Sequence, residues 1–292
     1  MLTEYQAKLD IIEIGCRMYN QGFIASSDGN ISIRISDSEL LATPSGLAKG
    51  FLTPEQIIKC NLLGEKIAGD PNLKPSSEIK MHCVVYAERP DITAVVHAHP
   101  PVATGFAVAG IPLEKCVLPE IILTIGSIPL AQYGTPSTEE VPNSIRNLIK
   151  TCDAVLLANH GALTVGKNVY TAYYKMESLE HFAKISLAAR QLGGEQVLSA
   201  PQVEKLMEVR KQMGITGPAL TCKGPQCAEC GICDTEQMQE ELKQKQQQLW
   251  QQAKSVIPSG VQDKKEDVSE LVTKITEEVV RRIVTVSTST NH

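Results

Sequence analysis

Apolar residues recur at Leu9, Ile12, Cys16 and Tyr19, in steps of three and four, so residues 2–19 predict an amphipathic helix that stops at Gly22. After the turn Asp28-Gly29-Asn30 the period changes to two. Ile31, Ile33 and Ile35 alternate with Ser32, Arg34 and Ser36, which predicts a half-exposed strand in a hairpin with residues 39–43. Thr53-Pro54-Glu55 opens a short helix, and residues 62–68 read as a further hairpin. Residues 77–88 predict a helix with Ser76 or Ser77 as N-cap and Glu78 in the first turn. Residues 93–100, T-A-V-V-H-A-H-P, favour an extended strand that Pro100 and Pro101 end.

Further on, residues 103–109 and 142–151 read as helices, and 117–124 and 128–131 as strands. Residues 154–158 form a short apolar strand running into Asn159-His160-Gly161. The longest helix is 170–191, with an apolar stripe at Ala172, Met176, Leu179, Ala183 and Leu187 and a stop at Gly193-Gly194. Elements mixed in this order predict a layered α/β or α+β domain over residues 1–215.

The pattern changes beyond Gly214. Residues 216–233 hold a cysteine cluster, and 234–267 a Gln/Glu/Lys-rich helix (234–253, with the chain's one Trp, Trp250) followed by a polar linker. In 268–286 apolar residues return at Val268, Leu271, Val272, Ile275, Val279, Ile283 and Val286, an amphipathic helix after a linker. Such a stripe meets either its own domain or another surface, the helix-in-groove mode.

Composition narrows the function classes. At 292 residues and 42% apolar the chain holds a sizeable core. A net charge of −5 without a basic block gives no reason to propose nucleic acid. No apolar run approaches membrane-spanning length, and M-L-T-E-Y lacks a signal-peptide pattern, so an intracellular enzyme is expected. Of nine cysteines, Cys16, Cys60, Cys83, Cys116 and Cys152 are scattered among apolar residues as free thiols. Cys222, Cys227, Cys230 and Cys233 fall within twelve residues, a spacing that suits structural zinc or an iron–sulfur cluster without matching a known run.

The sharpest chemistry lies in the strand 93–100. Residues two apart share a face, so His97 and His99 present two imidazoles side by side. His160 at another strand end and Glu78 on a helix supply a third nitrogen and a carboxylate, the count a catalytic zinc takes. His82, one turn on from Glu78, reads as packing or support for the site.

Five motifs stand in order: G-N-I-S at 29–32, T-P-S-G at 43–46, P-S-S-E at 75–78, H-A-H-P at 97–100 and N-H-G at 159–161. Together they resemble the class II aldolase family typified by L-fuculose-1-phosphate aldolase, over about residues 1–215. The resemblance implies a central, mainly antiparallel sheet flanked by helices, and a homotetramer with sites near subunit contacts. It implies Zn2+ on His97, His99 and His160, with Glu78 as catalytic carboxylate and as a zinc ligand when substrate is absent. Asn30, Ser45, Gly46, Ser76 and Ser77 match the family's phosphate pocket. The implied reaction is cleavage of L-fuculose 1-phosphate, or L-rhamnulose 1-phosphate, to dihydroxyacetone phosphate and L-lactaldehyde.

One departure concerns the aldehyde oxygen. Family tyrosines after the metal strand and near the C-terminus have no counterpart here: the first region reads V-L-P-E-I at 117–121, and no Tyr follows Tyr174. Glu120 and Tyr133 are the alternatives for proton donation. Rival functions are a sugar-phosphate 4-epimerase, which has Asp in place of Glu78, a methylthioribulose-1-phosphate dehydratase, and an adducin-like module without metal ligands. The tail 268–286 resembles the encapsulation peptides that recruit enzymes to bacterial microcompartment shells, where a reactive aldehyde is retained.

Overall fold

The computed structural model describes residues 3–215. The clustered cysteines Cys222, Cys227, Cys230 and Cys233, the Gln-rich stretch, the linker and the apolar stripe at 268–286 lie outside those residues.

Helix α1 (Glu4–Asn20) begins where Thr3 accepts from the Gln6 amide. Strands β1 (Asn30–Arg34) and β2 (Glu39–Ala42) form the expected hairpin, and β3 (Ile58–Asn61) and β4 (Lys66–Ala68) form the next. Then follow α2 (Ile79–Glu88), β5 (Ala94–Ala98), α3 (Pro101–Val108), α4 (Pro119–Thr124), β6 (Leu130–Ala131) and α5 (Glu140–Ile145). Strands β7 (Ala154–Leu157) and β8 (Gly161–Gly166) precede α6 (Val169–Gln191) and α7 (Ala200–Gln212). The eight strands make one sheet in the order β4-β3-β2-β1-β5-β8-β7-β6, antiparallel throughout except for β6 against β7.

Both faces of the sheet are covered, so strand residues alternate between two cores. Ile31, Ile33, Val96 and Ala98 pack with Ile11, Ile14 and Met18 of α1 and with Tyr173, Met176 and Leu179 of α6. Leu40, Val95, Val155 and Leu163 pack with Met81, Val85 and Tyr86 of α2 and with Val141 and Ile145 of α5. The strand expected to be half exposed is therefore covered on both sides. Ser32 is fully buried because α2 lies over it, and its hydroxyl is spent on His82 and Tyr86.

Other elements differ from the pattern-based expectation. Residues 119–124, expected as strand, are α4: Pro119 occupies the first turn, Glu120 adds an acidic group there, and the Arg210 guanidinium donates to the Ile122 carbonyl at 3.0 Å. Helix α7 had no predicted counterpart, although Ser199 and Gln202 form a capping box at its start. Strand β8 is buried on both faces, so its sequence shows no alternation to read. Helix α5 begins at Glu140, ahead of the predicted 142, and ends at Ile145. Helix α2 starts at Ile79, so Glu78 is its N-cap and not part of its first turn.

Candidate active site

The site assembles where the ends of β1, β5 and β8 meet the start of α2. β5 lies between β1 and β8, with Asn30 opposite His97 and His97 opposite Leu163. Register therefore fixes His97 beside Asn30. The turn before β1 must pass close to β5: Gly29 has φ +69, and a Cβ there would stand 2.9 Å from the His97 carbonyl oxygen and 2.6 Å from Ile24 Cγ2. His160 sits in the tight β7–β8 connection, where Asn159 takes φ 56 and the His160 amide donates to Leu157 O at 3.0 Å. Gly161 follows because a Cβ would stand 2.5 Å from the Ala98 carbonyl oxygen and 2.6 Å from His99 Cδ2.

Among the described residues, His97, His99 and His160 bring one potential ligand atom each to within 4.8 Å of one another. His97 is fully buried, and its Nδ1–H donates to the Ala162 carbonyl at 2.9 Å, which leaves a lone pair on Nε2. Burial pushes its pKa down to about 3, with Glu78 pulling the other way. His99 Nε2 lies 3.2 Å from His97 Nε2, while its Nδ1 faces Asp28 Oδ2 at 3.6 Å. Burial and the neighbouring His160 lower the His99 pKa, opposed by Asp28 and Glu78.

Glu78 closes the group. Its Oε2 is 3.3 Å from His97 Nε2 and accepts from Asn30 Nδ2 at 2.8 Å, and its Oε1 is 3.0 Å from His160 Nε2. Burial alone would raise this carboxyl, but His97, His160 and the Asn30 amide outweigh it and hold it well below the usual carboxylate range. Glu78 Oε1 and His160 Nδ1 are buried without a hydrogen bond of good geometry. Imidazole lone pairs facing one point beside an under-satisfied carboxylate oxygen form a donor set that suits a divalent cation.

The expected phosphate residues are brought together in part. Asn30 Nδ2 also reaches Ser76 Oγ at 3.3 Å, and Ser76 Oγ accepts from the Glu78 amide at 3.3 Å. The two motif loops lie against each other through a Pro44–Pro75 bridge and the Ser45 amide donating to Lys74 O at 2.9 Å. Ser45, Gly46 and Ser77 are exposed, and no hydrogen bond joins Gly46 or Ser77 to Asn30.

Two polar groups at the site had no place in the sequence reading. Asp28 stood only for a turn, yet it faces His99. Lys49 is 1% exposed, and its Nζ donates to Ser27 O at 2.5 Å and Leu47 O at 2.9 Å, tying the Asp28 loop to the loop after Gly46. Burial lowers its pKa, with Asp28 and Glu78 acting the other way. A buried lysine carries no motif; only its place three residues after T-P-S-G marks it.

Residues 9–187 match the family described as class II aldolase and adducin N-terminal domain. The chain is 33% identical over 187 residues to a 3-oxo-tetronate 4-phosphate decarboxylase of Pectobacterium atrosepticum, covering 63% of this chain and 84% of that protein. It is 36% identical over 178 residues to an L-fuculose phosphate aldolase of Methanococcus maripaludis, covering 61% of this chain and 94% of that one. A solved L-fuculose 1-phosphate aldolase superposes with a TM-score of 0.65 at 30% identity, over 70% of this chain and 96% of that chain.

Proposed function

Since the chain belongs to the class II aldolase and adducin family, we propose that it is a zinc-dependent aldolase cleaving L-fuculose 1-phosphate, or L-rhamnulose 1-phosphate, to dihydroxyacetone phosphate and L-lactaldehyde. The observation that carries this reading is the Glu78 carboxylate set between His97 and His160 with the Asn30 amide on its outer oxygen. Breaking a carbon–carbon bond next to a ketone leaves negative charge on the substrate oxygens. A divalent cation on His97, His99 and His160 supplies the Lewis acidity that stabilises such charge.

The chain's own residues do the rest. Glu78, kept ionised by its neighbours, carries the proton to and from the substrate carbon. Asn30 holds the carboxylate from behind and leaves the Ser76 hydroxyl hydrogen free to donate, because Ser76 Oγ already accepts from Asn30 and from the Glu78 amide. The loops at 44–46 and 75–77 stand beside that hydroxyl and offer donors to a phosphate. We read the assembly as a homotetramer, and residues 268–286 as the segment that recruits it to a microcompartment shell.

A second reading is supported by the 33% identity to a 3-oxo-tetronate 4-phosphate decarboxylase. Loss of CO2 from a 3-oxo acid leaves the same kind of charge and needs the same proton delivery. One experiment separates the readings. The purified chain is assayed with ketose 1-phosphates, methylthioribulose 1-phosphate, ribulose 5-phosphate and 3-oxo-tetronate 4-phosphate. Dihydroxyacetone phosphate from a 6-deoxyketose 1-phosphate supports the aldolase; CO2 as the product replaces it with the decarboxylase; no turnover of any of them overturns both.

A further inference from the structure

Behind Glu78 a line of buried side chains runs away from the metal-binding group into the core. Asn30 Nδ2 donates to Glu78 Oε2 at 2.8 Å, and Asn30 Oδ1 faces His82 Nε2 at 2.5 Å. His82 Nδ1 meets Ser32 Oγ at 2.7 Å, and Ser32 Oγ meets the Tyr86 hydroxyl at 2.7 Å. His82 and Ser32 are fully buried, Tyr86 is 2% exposed and Asn30 4%. Sheet and helix geometry place them: Asn30 and Ser32 share one face of β1, and His82 and Tyr86 are one turn apart on α2.

The carboxylate at one end sets the polarity of the whole line. Glu78 only accepts, so the Asn30 amide must turn its NH2 outward and its oxygen inward. That oxygen needs a donor, so His82 carries its proton on Nε2 and leaves Nδ1 as an acceptor. Ser32 must then donate to Nδ1, and its oxygen accepts from the Tyr86 hydroxyl. Each group has one state consistent with its neighbours. With the amide reversed, its oxygen would face the carboxylate, acceptor against acceptor.

We propose that His82, Ser32 and Tyr86 are positioning residues for the reaction. They lock the Asn30 amide in the orientation that holds Glu78 and leaves Ser76 free to donate. The proposal rests on the reading of Glu78 as the proton-transfer group. It assigns His82 a role through Asn30, with no contact to metal or substrate. Burial, which pushes the His82 pKa down to about 4, keeps the imidazole neutral and able to accept at Nδ1.

The test is a set of double-mutant cycles on the full chain with the turned-over substrate. Tyr86→Phe and Ser32→Ala remove one link each with little change of shape, and His82→Leu removes the donor. In the native background each is expected to lower kcat, by about fivefold for a single buried hydrogen bond and more for His82→Leu. In an Asn30→Ala background the same changes are expected to cost less than about twofold, because the group they act through is gone. His82→Gln, which keeps an N–H near the Nε2 position, is expected to recover part of the loss. Equal losses in both backgrounds would show a merely structural role and overturn the proposal. A readout independent of turnover is 15N-histidine NMR of the unmutated chain. A neutral His82 with its proton on Nε2 from pH 6 to 8 is expected; a proton on Nδ1, or on both nitrogens, overturns the chain of donors even if no substrate is found.

Discussion

The buried carboxylate of Glu180 accepts from the Ala103 amide at 2.8 Å, and its other oxygen accepts from Val102 at 3.2 Å. Helix α6 thus caps the start of α3, the helix that begins at Pro101 directly after His99 and Pro100. Short helices leave their first amides without partners, and Pro100 as N-cap has no side-chain acceptor to offer. Glu180→Ala strands the buried Ala103 donor and the partly buried Val102 donor and is expected to cost about 2–3 kcal/mol in urea unfolding, with Glu180→Gln costing roughly half of that.

Gly161→Ala changes no ligand, yet its methyl would press on the His99 ring and the Ala98 carbonyl. A displaced imidazole binds metal less well. The expected result is a loss of about tenfold to a hundredfold in zinc affinity, measured by competition with a chelating dye.

Glu78→Gln keeps the size of the side chain but cannot carry a proton. With zinc loaded, the rate is expected to fall by about two to four orders of magnitude while metal content stays near one ion per site. Near-full activity would remove Glu78 from the proton-transfer role.

Lys49→Met breaks the tie between the Ser27 and Leu47 carbonyls and leaves both loops less fixed. KM for the phosphorylated substrate is expected to rise about tenfold, with kcat changed less, because the loop Lys49 fixes adjoins residues 44–46, which we propose to bind the phosphate.

The stability of the chain carries a pH signature from His82. Its folded pKa of about 4 lies below the ordinary 6.5, so on acidification the unfolded chain takes up the proton first. Stability is full above pH 6.5 and is lost as the pH falls from there towards 4, by about 3 kcal/mol at the limit. Urea midpoints of the native chain and of His82→Gln across that range check the sign, since the variant is expected to lose less.

That three imidazoles and a carboxylate come together was legible because the logic of their placement is local. His97 and His99 share a face by strand period, and Glu78 and His160 sit at element ends that turn and cap residues mark. What supports them was not legible. Asp28 reads as a turn residue until the fold brings His99 to it, and Ser32 as the polar side of a half-exposed strand until α2 covers it, while the buried Lys49 and Glu180 carry no motif. The same holds for β8, whose apolar run has no period because both of its faces are buried. α4 escaped for another reason: its short run of β-branched residues outweighed Pro119 and Glu120, the local signs of a helix start.

The placement of β5 between β1 and β8 also sets the order in which this chain can fold. The Asn30–Glu78 bond closes 48 residues of sequence and the His97–Ala162 bond 65. Neither exists until loops of that length have closed and three strands have paired, the slow part of folding for non-local sheets. His97, His160 and Glu78 are not brought to one point before that. A cation held by these residues would therefore deepen the native well by mass action and slow escape from it, while the time taken to reach it stays that of the metal-free chain.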